Sequence, residues 1–174
     1  LLASPVPNSF AFDPHSVLIT GSNMAGKTTF LRTMGINAIL AQTMNTCMAA
    51  RYEAPFVRVM SSITLADSLT LGKSYYLTEV ESILRQLRAS KEDCVHLFIL
   101  DEIFRGTNSV ERQAISIEVL RYLANGKDYV LCATHDLHLA TVLDGMYGNF
   151  HFREDMDGNG LVFNYRIQPG ISTT

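Results

Sequence analysis

The stretch that decides the fold of this 174-residue chain is Gly21-Ser22-Asn23-Met24-Ala25-Gly26-Lys27-Thr28-Thr29. It fits the pattern G-x-x-x-x-G-K-[ST] of a phosphate-binding loop, in which successive backbone N–H groups surround phosphate oxygens. The two glycines permit the tight turn and the close approach of backbone to ligand. In this pattern Lys27 reaches the β- and γ-phosphates and the Thr28 hydroxyl ligates Mg²⁺. Residues 21–29 therefore predict a binding site for a nucleoside triphosphate with Mg²⁺.

The flanking sequence supplies the structural context that this motif requires. Residues 16–20 form a short apolar run that ends at a glycine, which predicts a buried strand. Residues 27–42 carry apolar side chains at helical spacing, and a helix N-terminus at this point adds partial positive charge for an anion. The competing interpretation, an ordinary turn between a strand and a helix, is disfavoured by this combination.

The rest of the chain alternates between strand and helix patterns. Strands are predicted at 58–65, 95–100 and 129–133, and helices at 77–89 and 108–125. Asn108 followed by Glu111 resembles a capping box at the start of the last helix. Residues 157–160 read Asp-Gly-Asn-Gly between two strand-like segments, 149–153 and 161–167, which predicts a hairpin. The fold class is therefore α/β, a P-loop NTPase with a mainly parallel sheet flanked by helices and an antiparallel hairpin addition.

Two further motifs follow predicted strands. Asp101 and Glu102 end an apolar run, and ligands of open α/β sheets bind at the carboxyl ends of the strands. Asp101 is predicted to hold Mg²⁺ and Glu102 to orient or deprotonate the attacking water. His135 follows the next strand and is placed to hydrogen-bond a γ-phosphate. The alternatives are a strand that ends in a solvated acidic loop and a structural histidine.

Composition restricts the class of protein. A chain of 174 residues is consistent with one domain, because domains average roughly 100–200 residues. Apolar residues make up 47%, yet no run approaches the ~20 apolar residues of a membrane span and no basic leader begins the chain. The net charge of −3 excludes a strongly basic nucleic-acid surface on this piece. We expect residues 1–174 to be one domain of a larger protein, in which any contact with nucleic acid is made by other parts.

The three cysteines are not arranged as a metal or disulfide motif. Cys47, Cys94 and Cys132 are far apart in sequence and odd in number. Cys94 and Cys132 adjoin apolar runs and are predicted to be small core residues. This usage predicts a reducing compartment, the cytoplasm.

Taken together, the motifs resemble the ATPase domain of the MutS family of DNA mismatch-recognition proteins. Asn23-Met24 is a family mark within the loop. Residues 101–108, Asp-Glu-Ile-Phe-Arg-Gly-Thr-Asn, are similar to the family's D-E-[LI]-G-R-G-T-[SN] stretch. Residues 133–135 match its A-T-H, and residues 165–172 resemble the segment near the end of that domain.

The resemblance implies an ABC-type ATPase in which two nucleotides lie between two such domains. Residues 71–75 stand where the family has its signature motif, which implies that Ser74 contacts the γ-phosphate bound to the opposite subunit. The implied partners are a second MutS-like subunit, as a homodimer, and mismatched or otherwise distorted DNA bound through other domains. The implied cofactors are ATP and Mg²⁺, with Lys27, Glu102 and His135 catalytic. No membrane partner is implied.

The chain departs from the family pattern in two regions. Phe104 replaces the usual glycine, and Glu111-Arg112 stands where many members have Asp-Gly, which suggests a divergent branch. Upstream of the first strand, where members commonly place an aromatic residue that stacks on adenine, this chain has Pro5-Val6. Phe10 or Phe12 is the alternative candidate for stacking on adenine. Asn8 resembles the family's asparagine in that segment.

Several functions remain open at this point. The main hypothesis is ATP binding and hydrolysis that close and reopen a dimer and so control DNA binding. One alternative is a MutS-like ATPase that acts on branched or recombination DNA. Another is an ATP-responsive dimerisation module with little turnover. A small-molecule kinase is disfavoured because the arginines that would form its lid are scattered over different elements.

Overall fold

The computed structural model describes residues 5–22, 24–63, 75–157 and 160–172. Within these ranges ten elements follow one another: β1 (Ser16–Thr20), α1 (Lys27–Met44), β2 (Arg58–Ser62), α2 (Tyr75–Ala89), β3 (His96–Asp101), α3 (Ser109–Ala124), β4 (Tyr129–Ala133), α4 (Leu137–Val142), β5 (Gly148–Asp157) and β6 (Gly160–Pro169). The described strands form one six-stranded sheet in the order β2-β3-β4-β1-β5-β6. Every neighbouring pair is parallel except β5 and β6, which are antiparallel. The predicted α/β class, with a mainly parallel sheet and an antiparallel hairpin, is confirmed.

The central strands are buried, and apolar apart from their end residues, because both faces of the sheet are covered. Side chains alternate across a strand, so Leu18 of β1 and Phe98 of β3 belong to one core cluster with residues of α2, α3 and α4. Val17 and Ile99 belong to a second cluster on the other face, under α1. Continuous apolar runs of this kind are typical of parallel strands buried on both sides.

The structure places the ends of three central strands side by side. β4 pairs with β1 on one side and with β3 on the other. The hydrogen-bond ladder continues past the strands, since the Thr134 N–H donates to the Ile19 carbonyl and the Glu102 N–H to the Ala133 carbonyl, both at 2.9 Å. The three segments with predicted chemistry, 21–29, 101–102 and 134–135, therefore meet at one edge of the sheet.

Predicted and observed boundaries differ at strands and helices. β2 ends at Ser62, residues 64–65 of the predicted strand lie outside the described residues, and β5 continues four residues beyond the predicted end, to Asp157. α1 continues to Met44, and α2 begins two residues before the predicted start, at Tyr75. Asn108 caps α3 as predicted, because its side chain accepts a hydrogen bond from the Glu111 N–H at 3.0 Å. The short helix α4 was not predicted. Asp136 caps it by accepting from the His138 N–H, but six residues are too few for a helical period to stand out.

Phe104, at the position where the resemblance leads one to expect glycine, adopts the left-handed backbone conformation that glycine favours. Its φ is +61°, and its side chain is buried in the cluster formed with α2 and α3. Left-handed geometry costs an ordinary residue about 1–2 kcal/mol. Burial of the aromatic ring therefore offsets a strained backbone at this position.

We expect Phe104→Ala to lower the free energy of unfolding by about 3–5 kcal/mol, because it creates a cavity and keeps the backbone strain. Phe104→Gly creates a similar cavity but relieves the strain, so it is expected to be about 1 kcal/mol more stable than Phe104→Ala. Urea denaturation of both variants measures the difference. Equal stability of the two variants would show that the backbone at position 104 is not strained.

None of the helices in the described ranges is both long enough and apolar enough to cross a membrane.

Candidate nucleotide-binding site

The segment between β1 and α1 adopts the backbone that the two glycines permit. Gly21 has a φ of +131° and Gly26 a φ of +103°. A Cβ at Gly21 would lie 2.8 Å from the carbonyl oxygen of Phe152, so a side chain at this position would collide with β5. The backbone at Gly21 therefore packs directly against β5 and leaves no room for a side chain. Of the other predicted binding residues, Ala25 is buried, Met24 and Thr29 are exposed, and Asn23 lies outside the described residues.

Lys27 is buried, with 2% of its side chain exposed, and its Nζ turns back into the segment. It donates hydrogen bonds to the carbonyl oxygens of Gly21 and, at 2.7 Å, Ser22. Burial lowers the pKa of Lys27 below its ordinary value, while the nearby carboxylates of Glu102 and Asp101 act in the opposite direction. The ammonium group is thus held inside the segment by carbonyl groups that cannot neutralise its charge.

Thr28 and Asp101 meet directly across the sheet edge. The Thr28 hydroxyl donates to Asp101 Oδ2 at 2.7 Å. The other carboxylate oxygen, Oδ1, is buried and has no hydrogen-bond partner among the described residues. A buried oxygen of this kind carries a desolvation cost until it gains a ligand. The hydroxyl and the carboxylate together form the oxygen-rich donor set that suits Mg²⁺.

Glu102 is the centre of a charged cluster and is 7% exposed. Its carboxylate lies 3.8 Å from Lys27 Nζ, 3.0 Å from an Arg105 guanidinium nitrogen and 3.1 Å from His135 Nδ1. Its φ of +49° is left-handed, which is uncommon for a glutamate and turns the chain sharply after β3. The structure therefore brings Lys27, Glu102 and His135 together, as the sequence predicted.

Arg105 also belongs to this cluster, although it was not predicted there. The arginine lies three residues after Glu102, and the left-handed residues Glu102 and Phe104 fold the chain so that the two side chains meet. The turn is attached to α2, where the Glu79 carboxylate accepts from the N–H groups of Arg105 and Gly106, both at 3.3 Å. The contact between Arg105 and Glu102 becomes visible only in the three-dimensional structure.

His135 and its neighbours show how the end of β4 is fixed. His135 is 47% exposed, so one face of its ring reaches solvent next to Glu102. Thr134 accepts from the Asp136 N–H at 3.0 Å, and Asp136 accepts from Gln113 of α3 at 2.8 Å. These hydrogen bonds fix the loop after β4, from which the His135 ring points toward Glu102.

The two aromatic candidates for stacking on adenine, Phe10 and Phe12, are partly buried and pack against the core. The Phe10 ring lies 5.3 Å from the rings of Phe30 and Phe150, and the Phe12 ring lies 5.2 Å from that of Tyr129. Tyr165 of β6 was not predicted at the site, yet a Cβ at Gly26 would lie 3.3 Å from its ring. Asn8 holds this part of β6 by donating to the Tyr165 carbonyl and accepting from the Ile167 N–H. Ser74 lies outside the described residues.

The chain is similar to known proteins over most of its length. Residues 17–174 match the family model of MutS domain V. The DNA mismatch repair protein MutS of Thermus aquaticus is 36% identical over 166 residues, which are 95% of this chain and 20% of that protein. The DNA mismatch repair protein MutS of Nitratidesulfovibrio vulgaris is 38% identical over 179 residues, covering 97% of this chain and 19% of the relative.

A further relative, the DNA mismatch repair protein MutS 2 of Haloarcula marismortui, is 30% identical over 161 residues, covering 90% of this chain and 17% of the relative. The chain thus spans about a fifth of the length of these curated relatives. The family model covers the sheet and all three segments that meet at its edge. The chain belongs to the MutS family and corresponds to its domain V.

Proposed function

We propose that this chain is the Mg²⁺-dependent ATP-binding and ATP-hydrolysing domain, of the ABC type, of a MutS-like DNA mismatch repair protein. The observation that carries the proposal is the meeting of Lys27 and Glu102 beside the Thr28–Asp101 pair, at the carboxyl ends of three parallel strands. Phosphoryl transfer to water requires a bound phosphate chain, a metal ion and an oriented water molecule. The cluster offers a group for each of these tasks.

Residues 21–29 would bind the phosphates. The positive φ values of Gly21 and Gly26 turn the backbone in the way that an anion-binding loop requires, and α1 directs its N-terminus at the same space. Phosphate oxygens would replace the Gly21 and Ser22 carbonyls as acceptors for Lys27 Nζ. Because phosphate is charged and the carbonyls are neutral, the buried ammonium group gains by the exchange.

Thr28 and Asp101 would hold Mg²⁺. The buried Asp101 Oδ1, which lacks a hydrogen-bond partner within the described part of the chain, supports this assignment because a metal ion or its bound water would satisfy it. When bound, Mg²⁺ would neutralise negative charge on the phosphate oxygens.

Glu102 would orient the attacking water and accept its proton. Arg105 and His135 contact the Oε2 atom of its carboxylate, which leaves Oε1 facing Lys27 and the phosphate-binding segment. Two charged or polar contacts at one oxygen fix the orientation of the other. His135 would hydrogen-bond the γ-phosphate through Nε2, the ring nitrogen that does not contact Glu102.

The biological role that we propose rests on the relatives. They carry the name DNA mismatch repair protein, so we propose that nucleotide binding here controls DNA binding by other parts of the full-length protein. The resemblance of residues 71–75 to the family's signature motif supports the further proposal that nucleotide binding closes a homodimer. Ser74 would contact the γ-phosphate bound to the second subunit. The divergent-branch alternative, recognition of branched DNA, is favoured by Phe104 at a position where the family has glycine.

The test measures phosphate release from ATP by the full-length protein, with Mg²⁺ and with an excess of chelator, together with binding to perfect, mismatched and four-way-junction DNA. We expect hydrolysis with Mg²⁺ alone, and a preference for mismatched DNA that ATP relieves. Preference for the junction would keep the ATPase and support the branched-DNA alternative.

Two other results would contradict the hydrolytic role. ATP-dependent dimerisation without phosphate release would identify a dimerisation module. Absence of nucleotide binding would overturn the proposal entirely.

A further inference from the structure

A second cluster of ligand-type side chains lies at the opposite end of β3 from Asp101. Glu92, Cys94 and His96 each offer one donor atom, and these three atoms lie within 4.8 Å of one another. The Cys94 Sγ and the His96 Nε2 are 3.4 Å apart. The prediction that Cys94 is a core residue is wrong, because Cys94 lies just before the buried run and is exposed. No role was predicted for His96.

Phe98 and Asp128 fix the orientation of the His96 ring. The ring is fully buried and lies 5.1 Å from the Phe98 ring, nearly parallel to it. Its Nδ1 is 3.1 Å from Asp128 Oδ1, and the same carboxylate oxygen accepts from the backbone N–H of His96 at 2.8 Å. When Nδ1 donates its proton to Asp128, Nε2 presents a lone pair toward Cys94. A carboxylate behind a histidine is the usual support of a histidine that binds metal.

The spacing between sulfur and nitrogen fits one bound ion. Tetrahedral Zn²⁺, with about 2.3 Å to sulfur and 2.0–2.1 Å to nitrogen, places these two ligand atoms about 3.6 Å apart. The 3.4 Å observed between Cys94 and His96 needs little adjustment. Residues 94 and 96 share this side of the chain because alternate residues of an extended segment point the same way.

The third side chain, Glu92, is paired with Arg58 at the start of β2 through its Oε2 atom. Both side chains are about half exposed, and exposed ion pairs contribute little to stability. The pair therefore keeps the carboxylate near Cys94 without preventing it from binding a cation.

We propose that Glu92, Cys94 and His96 bind a single thiolate-preferring divalent cation of the Zn²⁺ type, with water completing the tetrahedron. Asp128 is a positioning residue that orients His96. The ligand types distinguish this site from the one at the other end of β3, since sulfur and imidazole suit Zn²⁺ whereas Mg²⁺ prefers oxygen. The bound cation would fasten the turn after α2 to the start of β3.

The experiment titrates the full-length protein, freed of metal with a chelator that is then removed, with Co²⁺ as a spectroscopic probe. Tetrahedral Co²⁺ bound to a thiolate gives a charge-transfer band and intense visible bands, and Zn²⁺ should abolish both by displacement. We expect Cys94→Ala to eliminate the charge-transfer band. Asp128→Asn is expected to weaken Co²⁺ binding about 10–100-fold, as loss of such support does elsewhere.

Cys47→Ala is the matched control, because Cys47 is a free cysteine that is not part of the cluster. It should bind Co²⁺ like the unaltered protein. Absence of a charge-transfer band, or a band that survives in Cys94→Ala, would overturn the proposal. Since Cys94 is exposed, the fold should tolerate its replacement, and circular dichroism checks this. ATP binding is measured in parallel, so that failure of this proposal is distinguishable from failure of the proposed ATPase.

Discussion

The full-length protein carrying Glu102→Gln is expected to bind ATP and to hydrolyse it about 10²–10⁴ times more slowly, the usual contribution of a positioned general base. Glutamine keeps the size of the side chain and can still accept a hydrogen bond from Arg105. It loses the negative charge that accepts a proton from water. Stopped-flow or steady-state phosphate release gives the rate, and equilibrium titration with labelled ATP gives the affinity.

The matched control is Glu118→Gln on the exposed face of α3, where Glu118 pairs with Arg121 in solvent. This variant removes the same charge far from the cluster and should hydrolyse ATP at the unaltered rate. Hydrolysis by Glu102→Gln at the unaltered rate would mean that another group activates the water. Loss of ATP binding in the same variant would instead assign Glu102 a role in assembling the site.

Lys27→Ala is expected to reduce ATP affinity about ten- to a hundredfold, because a hydrogen bond to a charged group contributes about 1.5–3 kcal/mol. The effect should exceed that of any exposed lysine, since Lys27 is buried and its interaction with a charged phosphate is weakened less by solvent. The same titration with labelled ATP measures it.

Removal of Lys27 also takes away one of the cations beside the buried Glu102 carboxylate, which is expected to destabilise the fold. The thermal midpoint of unfolding is therefore measured separately from the affinity. Lys27→Met keeps the packing of the aliphatic stem and should lose the same affinity with less effect on the thermal midpoint. Lys127→Ala, at an exposed lysine that pairs with Asp93 before β4, is the control for charge alone. Wild-type affinity in both Lys27 variants would contradict a phosphate contact by this residue.

Much of the sheet was predictable because its strands are buried on both faces. Residues 16–20, 95–100 and 129–133 are predominantly apolar, and short runs of this kind between turn residues are typical of central parallel strands. The order of the motifs along these strands then predicted that Lys27, Glu102 and His135 would lie together, and the structure brings them together.

The contacts that were missed depend on backbone conformations that apolar periodicity does not encode. Arg105 reaches Glu102 only because Glu102 and Phe104 are left-handed, and neither residue type favours that conformation. Asp128 lies behind His96 because β3 and β4 are paired in one register, which places residues distant in sequence side by side. The prediction for Cys94 failed because this residue lies in the turn just before β3, where an apolar residue type does not reveal whether the side chain is buried.

The position of β4 between β1 and β3 has a consequence for how the protein is made. Synthesis delivers residues 21–29 first and Asp101-Glu102 later, but β1 and β3 are not neighbours, so the two segments stay apart until β4 emerges and inserts. That insertion pairs Ser16 with Val130, a contact of long sequence separation that closes slowly. Nucleotide affinity would thus be acquired only once β4 has joined the sheet between β1 and β3. ATP in the surrounding solution would then favour the finished topology over partly assembled chains by mass action.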